Sequence, residues 1–254
     1  MFAQDPHTEG RPWALVTGAA KRIGRALSLY LAKQGYNIII HYHHAECSAL
    51  DLASEVRALG GDTILTALDI SASEGIADWC QDLLQRTGKI DLLINNASVF
   101  EDHDITHLVL SDLYRDMNIH AVSPLLLAQQ LYLHEQPVRH IVNMLDANIH
   151  KICTHYVSYY LSKQMLHHIT LILARSLAPL TRVNAICPGP VLPPPGQNIA
   201  YLAQKVANMP LNQRDKDGWE QGGLEQICSA VGYLDRAHQT TGQVLMVDRG
   251  QHLL

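Results

Sequence analysis

Three residues of this 254-residue chain have the types and spacing for proton chemistry: Tyr159, Lys163 four positions on, and Asp146 thirteen positions before the tyrosine. A tyrosine and a lysine four apart on a helix share one face. An ammonium beside a phenol stabilises the phenolate, so the spacing predicts a Tyr159 pKa lowered from its ordinary ~10. Such a tyrosine serves as an acid or base near neutral pH. Asp146 adds a carboxyl group that can hydrogen-bond a substrate ring or relay a proton to it. Tyrosine–lysine pairs at this spacing also arise by chance on solvated helices. The surrounding elements must therefore show that the three residues meet.

The composition bounds the setting. With 47% hydrophobic and 17% charged residues, the chain suits one α/β domain with a sizeable core. A net charge of −5 argues against general nucleic-acid binding. No apolar run reaches the ~18 residues of a membrane span. The start, MFAQDPHTEG, has no basic segment followed by an apolar stretch, so no secretory signal is expected. Cys47, Cys80, Cys153, Cys187 and Cys228 are odd in number and form no C-x-x-C pair. Free thiols in a reducing cytoplasm are the simpler reading. Histidines cluster at His41-Tyr42-His43-His44 and His167-His168, but no ligand spacing completes either group, so no metal is expected.

Short apolar runs alternate with amphipathic stretches. Trp13–Val16, Asn37–Tyr42, Thr63–Leu68, Leu92–Ile94, His140–Leu145, Val183–Ile186 and Val244–Val247 read as buried strands. Arg22–Gln34, Glu46–Leu59, Gly75–Arg86 and Tyr156–Leu177 read as helices. The pattern predicts a single-domain doubly wound Rossmann fold over residues 12–254, with a parallel seven-stranded sheet covered on both faces. Residues 1–11 read as a tail. Pro188–Gly196 excludes a helix interior, and the polar stretch to about Gly223 reads as irregular. A loop of this length is usually functional, so residues 190–223 are expected to form a mobile substrate lid.

Thr17-Gly18-Ala19-Ala20-Lys21-Arg22-Ile23-Gly24 follows the first strand and opens the first helix. Gly18 permits a tight turn, and free N–H groups at the helix start favour a pyrophosphate. Ile23 is expected to line the same loop. Lys21 and Arg22 add positive charge near an adenosine ribose. The second strand ends at His43-His44 without the carboxylate that NAD-specific folds use on the ribose 2′-hydroxyl, which favours NADP. Neutral imidazole in place of arginine weakens that preference. Asp69 ends the third strand, where resemblance to the short-chain dehydrogenase/reductase family implies a contact with the adenine, and capping of the following helix falls to Ser71 or Ser73. Asn95, Ala97 and Ser98 end the fourth strand, where small residues allow close approach of the cofactor.

Together these motifs resemble the short-chain dehydrogenase/reductase family, from about Pro12 to the C-terminus. The T-G-A-A-K-R loop, the H-Y-H segment and Asp146 in place of the usual serine resemble the pteridine reductases and dihydromonapterin reductases in particular. The resemblance implies NADP(H) as cofactor, bound also by Tyr159, Lys163 and the Pro188-Gly189-Pro190-Val191 turn. It implies a pterin substrate held by Ser98, Phe100, Asp146 and Tyr159, with Phe100 stacked on the ring. It further implies a cytoplasmic homotetramer in folate metabolism. Three departures stand out: Arg22 and Arg249 where the family has glycine, and His120 where it has a water-holding asparagine. His120 fits a proton relay or core packing equally. The expected activity is NADPH-dependent reduction of a dihydropterin C=N bond. Reduction of a carbonyl substrate and non-catalytic NADP binding are the alternatives.

Overall fold

The computed structural model describes residues 10–194, 196–212 and 218–254. Seven strands form one fully parallel sheet: β1 (Trp13–Val16), β2 (Asn37–Tyr42), β3 (Thr63–Ala67), β4 (Leu92–Asn95), β5 (His140–Met144), β6 (Arg182–Pro188) and β7 (Val244–Val247). Their spatial order is β3-β2-β1-β4-β5-β6-β7. The helices are α1 (Arg22–Lys33), α2 (Glu46–Ala58), α3 (Ile76–Thr87), α4 (Leu110–Met117), α5 (Ser123–Tyr132), α6 (Val157–Ser176), α7 (Ile199–Val206) and α8 (Gly218–Arg236). The doubly wound Rossmann fold expected from the apolar runs is the one observed, with strand ends shifted by a residue or two.

Alternation along each strand divides the core in two. Leu15, Ile39 and Leu93 point to the face covered by α3, α5 and α6, where Leu83, Leu127 and Leu166 are buried. Their neighbours Val16, Ile40 and Ile94 point to the opposite face, against Leu27, Leu52 and Val231 of α1, α2 and α8. Successive side chains of a strand face opposite ways, so only unbroken apolar runs can fill both layers. The connection after β1 runs to α1 on one face, and that after β4 runs toward the other. A crevice therefore opens at the carboxyl edge between β1 and β4, where doubly wound sheets bind ligands.

Two local expectations are corrected. The segment after Pro188 is not irregular throughout, because it contains α7. Asn198 caps this helix, its Oδ1 accepting from Ala200 N at 3.0 Å and Tyr201 N at 3.3 Å. Leu202 and Val206, four apart on α7, form a small core with Met209 just beyond the helix. Neighbouring prolines and polar residues hide that short pattern in the sequence. Neither Ser71 nor Ser73 caps α3. Its N-cap is Gly75, with φ of 91°, while Ser71 N donates to Asp69 Oδ1 at 2.9 Å.

A buried polar cluster closes the opposite, amino edge of the sheet. Arg139 and Tyr36 both donate to Asp235, and His140 Nδ1 lies 3.4 Å from the same carboxylate. Asn184 donates to His140 Nε2 at 3.2 Å, so that nitrogen is an acceptor and the imidazole is neutral. Burial pushes the His140 pKa down to about 4, and His41 in β2 is also pushed down to about 4 by burial. The folded values lie below the ordinary ~6.5 of imidazole. Both contributions to stability are therefore complete above ~6.5 and decline as pH falls toward 4, because the unfolded chain takes protons that the fold refuses. Urea unfolding should show stability at about pH 5 lower than at pH 7 by about 2 kcal/mol or more. Equal stabilities at the two values would contradict this assignment.

Candidate active site

The loop after β1 is held from below by the end of β4. Thr17 Oγ1 accepts from Asn96 N at 2.9 Å and Ala97 N at 3.0 Å, and Thr17 N donates to Ile94 O. Asn96 Nδ2 donates to the Thr17 and Gly18 carbonyls at 2.9 and 3.2 Å. From β2, His41 Nδ1 accepts from Gly18 N at 3.1 Å, while Nε2 lies 3.0 Å from Leu68 O. The Gly18 N–H must donate, so His41 is the neutral Nε2–H tautomer.

Backbone geometry explains the residue choices. Gly18 has φ of 62°, and a Cβ there would meet Ala97 Cα at 2.9 Å. At Gly24 a Cβ would meet the Gly18 carbonyl oxygen at 2.2 Å. Arg22 occupies the left-handed region at φ 55°, a conformation that glycine adopts more cheaply. The first turn of α1 carries no acidic residue, so its positive end faces the cleft without neutralisation.

Two adjoining clefts follow the carboxyl edge. The first, of about 350 Å³, is lined by Gly18, Lys21, Arg22, Ile23, His43, Asp69, Ala97 and Ser98, among others. The second, of about 190 Å³, contains Asp146, Tyr159 and Lys163 with Pro188, Gly189 and Val191. Arg22, Ile23, Asn96 and Ser98 border both, making one continuous trough. Three expected site residues stand outside the two linings. Asn95 is buried in the sheet, its Nδ2 donating to Asn143 Oδ1 at 2.8 Å, and the neighbouring Asn96 faces the cleft instead. His44 stacks behind His43, with ring centroids 3.4 Å apart. Phe100 forms an exposed lip, stacked flat on Tyr156 at 4.2 Å and edge-on to Tyr159 at 4.8 Å. Tyr156 was not anticipated; it precedes α6 as its N-cap with φ of 55°, a backbone turn that helical spacing does not report.

In the second cleft, Tyr159 Oη donates to Asp146 Oδ2 at 3.0 Å, and Asp146 Oδ1 accepts from Asn148 N at 2.7 Å. Lys163 Nζ donates to Met144 O at 2.7 Å and lies 5.6 Å from the Tyr159 ring centre. The expected lowering of the tyrosine pKa is reversed here. Burial, reinforced by the Asp146 carboxylate, holds the phenol well above its ordinary value. Burial also lowers Lys163 to about 8, with Asp146 opposing the shift. The spacing rule places lysine and tyrosine on one face, but the distance between ammonium and phenol oxygen is set by tertiary contacts, here the Met144 carbonyl.

His120 joins the Ser98–Val99 turn to α6. It lies in a π-turn, Asn118–Val122, before Pro124, whose missing N–H removes a regular helical bond. Val99 N donates to His120 Nε2 at 3.2 Å, and Nδ1 lies 2.8 Å from Ser162 Oγ, which itself donates to Tyr159 O. Ser98 Oγ lies 3.0 Å from the same Nε2. The ring is therefore neutral, and burial with the nearby Lys163 charge keeps its pKa well below 6.5. The described contacts of His120 place it as a clamp on the Ser98–Val99 turn.

With this geometry established, relatives are informative. A family model described as enoyl-(acyl carrier protein) reductase matches residues 18–252. The chain belongs to the short-chain dehydrogenase/reductase family. The alternative dihydrofolate reductase 1 of Brucella canis, solved as a complex with NADP, superposes with a TM-score of 0.85 at 31% identity, covering 96% of this chain and 95% of that one. A dihydromonapterin reductase of Klebsiella pneumoniae is 27% identical over 94% of this chain and 96% of its own length. A granaticin polyketide synthase putative ketoacyl reductase of Streptomyces violaceoruber is also 27% identical, over 96% of this chain and 97% of its own length.

Replacing His120 with leucine keeps bulk but removes the acceptor for Val99 N–H. Amide hydrogen exchange at Val99 should then quicken roughly tenfold, with helical content unchanged. An unchanged exchange rate in His120→Leu would show that this bond does not hold the turn.

Proposed function

We propose that this protein is an NADPH-dependent reductase of dihydropterins. The observation that carries the reading is the Tyr159–Asp146 hydrogen bond of 3.0 Å at the head of the trough, beneath the aromatic lip of Phe100. A serine at position 146 would offer a neutral hydroxyl to a carbonyl oxygen. A carboxylate there accepts instead, and it suits a heterocycle that presents N–H groups. The flat, exposed ring of Phe100 fits a planar substrate better than a branched chain.

The dinucleotide fits the groups present. The cradle that Cβ atoms at Gly18 and Gly24 would fill, the uncompensated start of α1 and the cationic Lys21 and Arg22 suit a pyrophosphate. When bound, the reduced nicotinamide supplies the hydride for the substrate carbon. Tyr159 gives its hydroxyl proton to the neighbouring ring nitrogen, so the C=N bond becomes CH–NH. Asp146 releases that hydroxyl to the substrate and accepts a ring N–H. Lys163, with its pKa near 8, can stabilise the tyrosinate and resupply its proton from the buried side. Pro188, Gly189 and Val191 border the second cleft on the β6 side and would hold the nicotinamide end. The segment over residues 190–223, of which 195 and 213–217 lie outside the described residues, serves in this proposal as the substrate lid, within one functional domain spanning 12–254.

A second reading, reduction of a ketone or ketoacyl substrate, is favoured by the Streptomyces relative, which matches at the same identity as the dihydromonapterin reductase. A cytoplasmic homotetramer is part of the proposal. Exposed Leu161, Met165 and Ile172 on α6 and Leu110 and Tyr114 on α4 offer apolar surface for subunit contacts. Light scattering should give four times the 28.2 kDa chain mass, and a monomer would refute this part.

The activity is tested by following NADPH oxidation with dihydropterins. Wild type should turn over, and Tyr159→Phe should lose roughly 10²–10⁴-fold in kcat. No turnover of any dihydropterin by NADPH-loaded wild type would overturn the pterin assignment. Full activity in Tyr159→Phe would overturn the role given to the tyrosine.

A further inference from the structure

Asp146 stands in a segment without regular structure. β5 ends at Met144, and residues 147–150 form a turn before α6 begins. Asp146 Oδ1 accepts from Asn148 N at 2.7 Å, so the carboxylate points where the backbone at Asn148 allows. Its other oxygen meets Tyr159 Oη at 3.0 Å. Whatever fixes Asn148 therefore fixes the aim of the carboxylate. Asn148 Oδ1 accepts from Gln251 Nε2 at 3.2 Å, across 103 positions of sequence, and Lys151 Nζ donates to Gln251 O at 2.9 Å.

Gln251 opens a 3₁₀ turn, Gln251–Leu253, beyond β7, and that turn is seated independently of its side chain. Asp248, 4% exposed, accepts from Gly250 N at 3.0 Å and from His252 N at 2.7 Å. Gly189 N donates to Val247 O at 3.0 Å, and a Cβ at Gly189 would meet Asp248 Cα at 2.7 Å. Leu211 N donates to Arg249 O at 3.0 Å. The turn is thus fixed to the β6 side of the second cleft. The amide of Gln251 is costly there, because its Oε1 is buried and has no hydrogen-bond partner among the described residues. A methionine would fill the same space without leaving a polar atom unpaired, so packing alone does not account for glutamine.

We propose that Gln251 is a positioning residue for Asp146. Acting through Asn148, it holds the carboxylate at the angle from which it releases the Tyr159 hydroxyl and accepts a substrate N–H. The inference rests on the reading that Asp146 and Tyr159 reduce a dihydropterin. Small errors of aim matter in such a step, because a misplacement of about 1 Å lowers a rate by up to roughly 10²-fold. Gln251 lines neither cleft, so its effect passes through the amide–amide bond.

The test follows dihydropterin reduction by NADPH in Gln251→Met, which keeps side-chain length and removes the amide while Lys151 still reaches the backbone carbonyl. Its kcat/KM should fall roughly tenfold. Asn148→Ala breaks the same bond from the other side and should lose about as much. The double variant should lose no more than either single one. In an Asp146→Ser background, Gln251→Met should cost less than about twofold, because the carboxylate it aims is gone. A merely structural glutamine would cost the same in both backgrounds. Hydrogen exchange at the Asn148 amide should quicken in Gln251→Met, with exchange in β5 unchanged. Full activity in Gln251→Met, or an equal loss in the wild-type and Asp146→Ser backgrounds, would overturn the positioning role while leaving the pterin reading intact. A wild type that turns over no dihydropterin would overturn both.

Discussion

The crevice depends on one junction, where the carboxyl ends of β1 and β4 lie side by side and the chain leaves them toward opposite faces. Thr17 Oγ1 fastens that junction by accepting two backbone N–H groups from β4's continuation, and Asn96 fastens it again through the Thr17 and Gly18 carbonyls. The loop after β1 has no regular structure of its own to satisfy these groups. Without the cross-bonds, buried carbonyls at the switch point would lose their partners, at about 1–3 kcal/mol each. The Gly18 turn, the start of α1 and the Ser98–Val99 wall of the trough are all positioned from this point.

Three buried histidines extend that constraint outward. His41 fixes Gly18, His120 fixes Val99, and His140 fixes the amino edge of the sheet through Asn184 and Asp235. In each case a donor that cannot turn away requires one ring nitrogen to stay unprotonated. Each imidazole is therefore a neutral acceptor with a set tautomer, and burial keeps it so. The His43–His44 pair differs in being exposed, with the two rings stacked at the rim.

Much of the fold was legible because unbroken apolar strands leave few alternatives to a parallel sheet with two covered faces. Asp146, just after β5, and Tyr159, in the first turn of α6, meet at one sheet edge, as the motifs together suggested they would. Finer geometry was not legible. Side-chain direction alternates along a strand, so a one-residue difference put Asn95 into the sheet and Asn96 at the cleft. The lysine's reach to Met144 O is a tertiary choice that helical spacing cannot report. The short α7 was hidden because its two buried residues, Leu202 and Val206, lie among prolines and polar side chains, too few to establish a period. At Arg22 the only sign in the sequence of the left-handed backbone is the glycine that the family carries there, since arginine adopts that φ of 55° only at a cost.

The central claim is that a carboxylate bonded to the catalytic phenol selects a pterin over a carbonyl substrate. The most direct measurement is the ratio of kcat/KM for a dihydropterin to that for a β-ketoacyl thioester, in wild type and in Asp146→Ser. The account predicts that wild type favours the pterin and that Asp146→Ser moves the ratio toward the ketone by at least about tenfold, because the serine no longer accepts the ring N–H. An unchanged ratio, or a wild type that prefers the ketone, would contradict it.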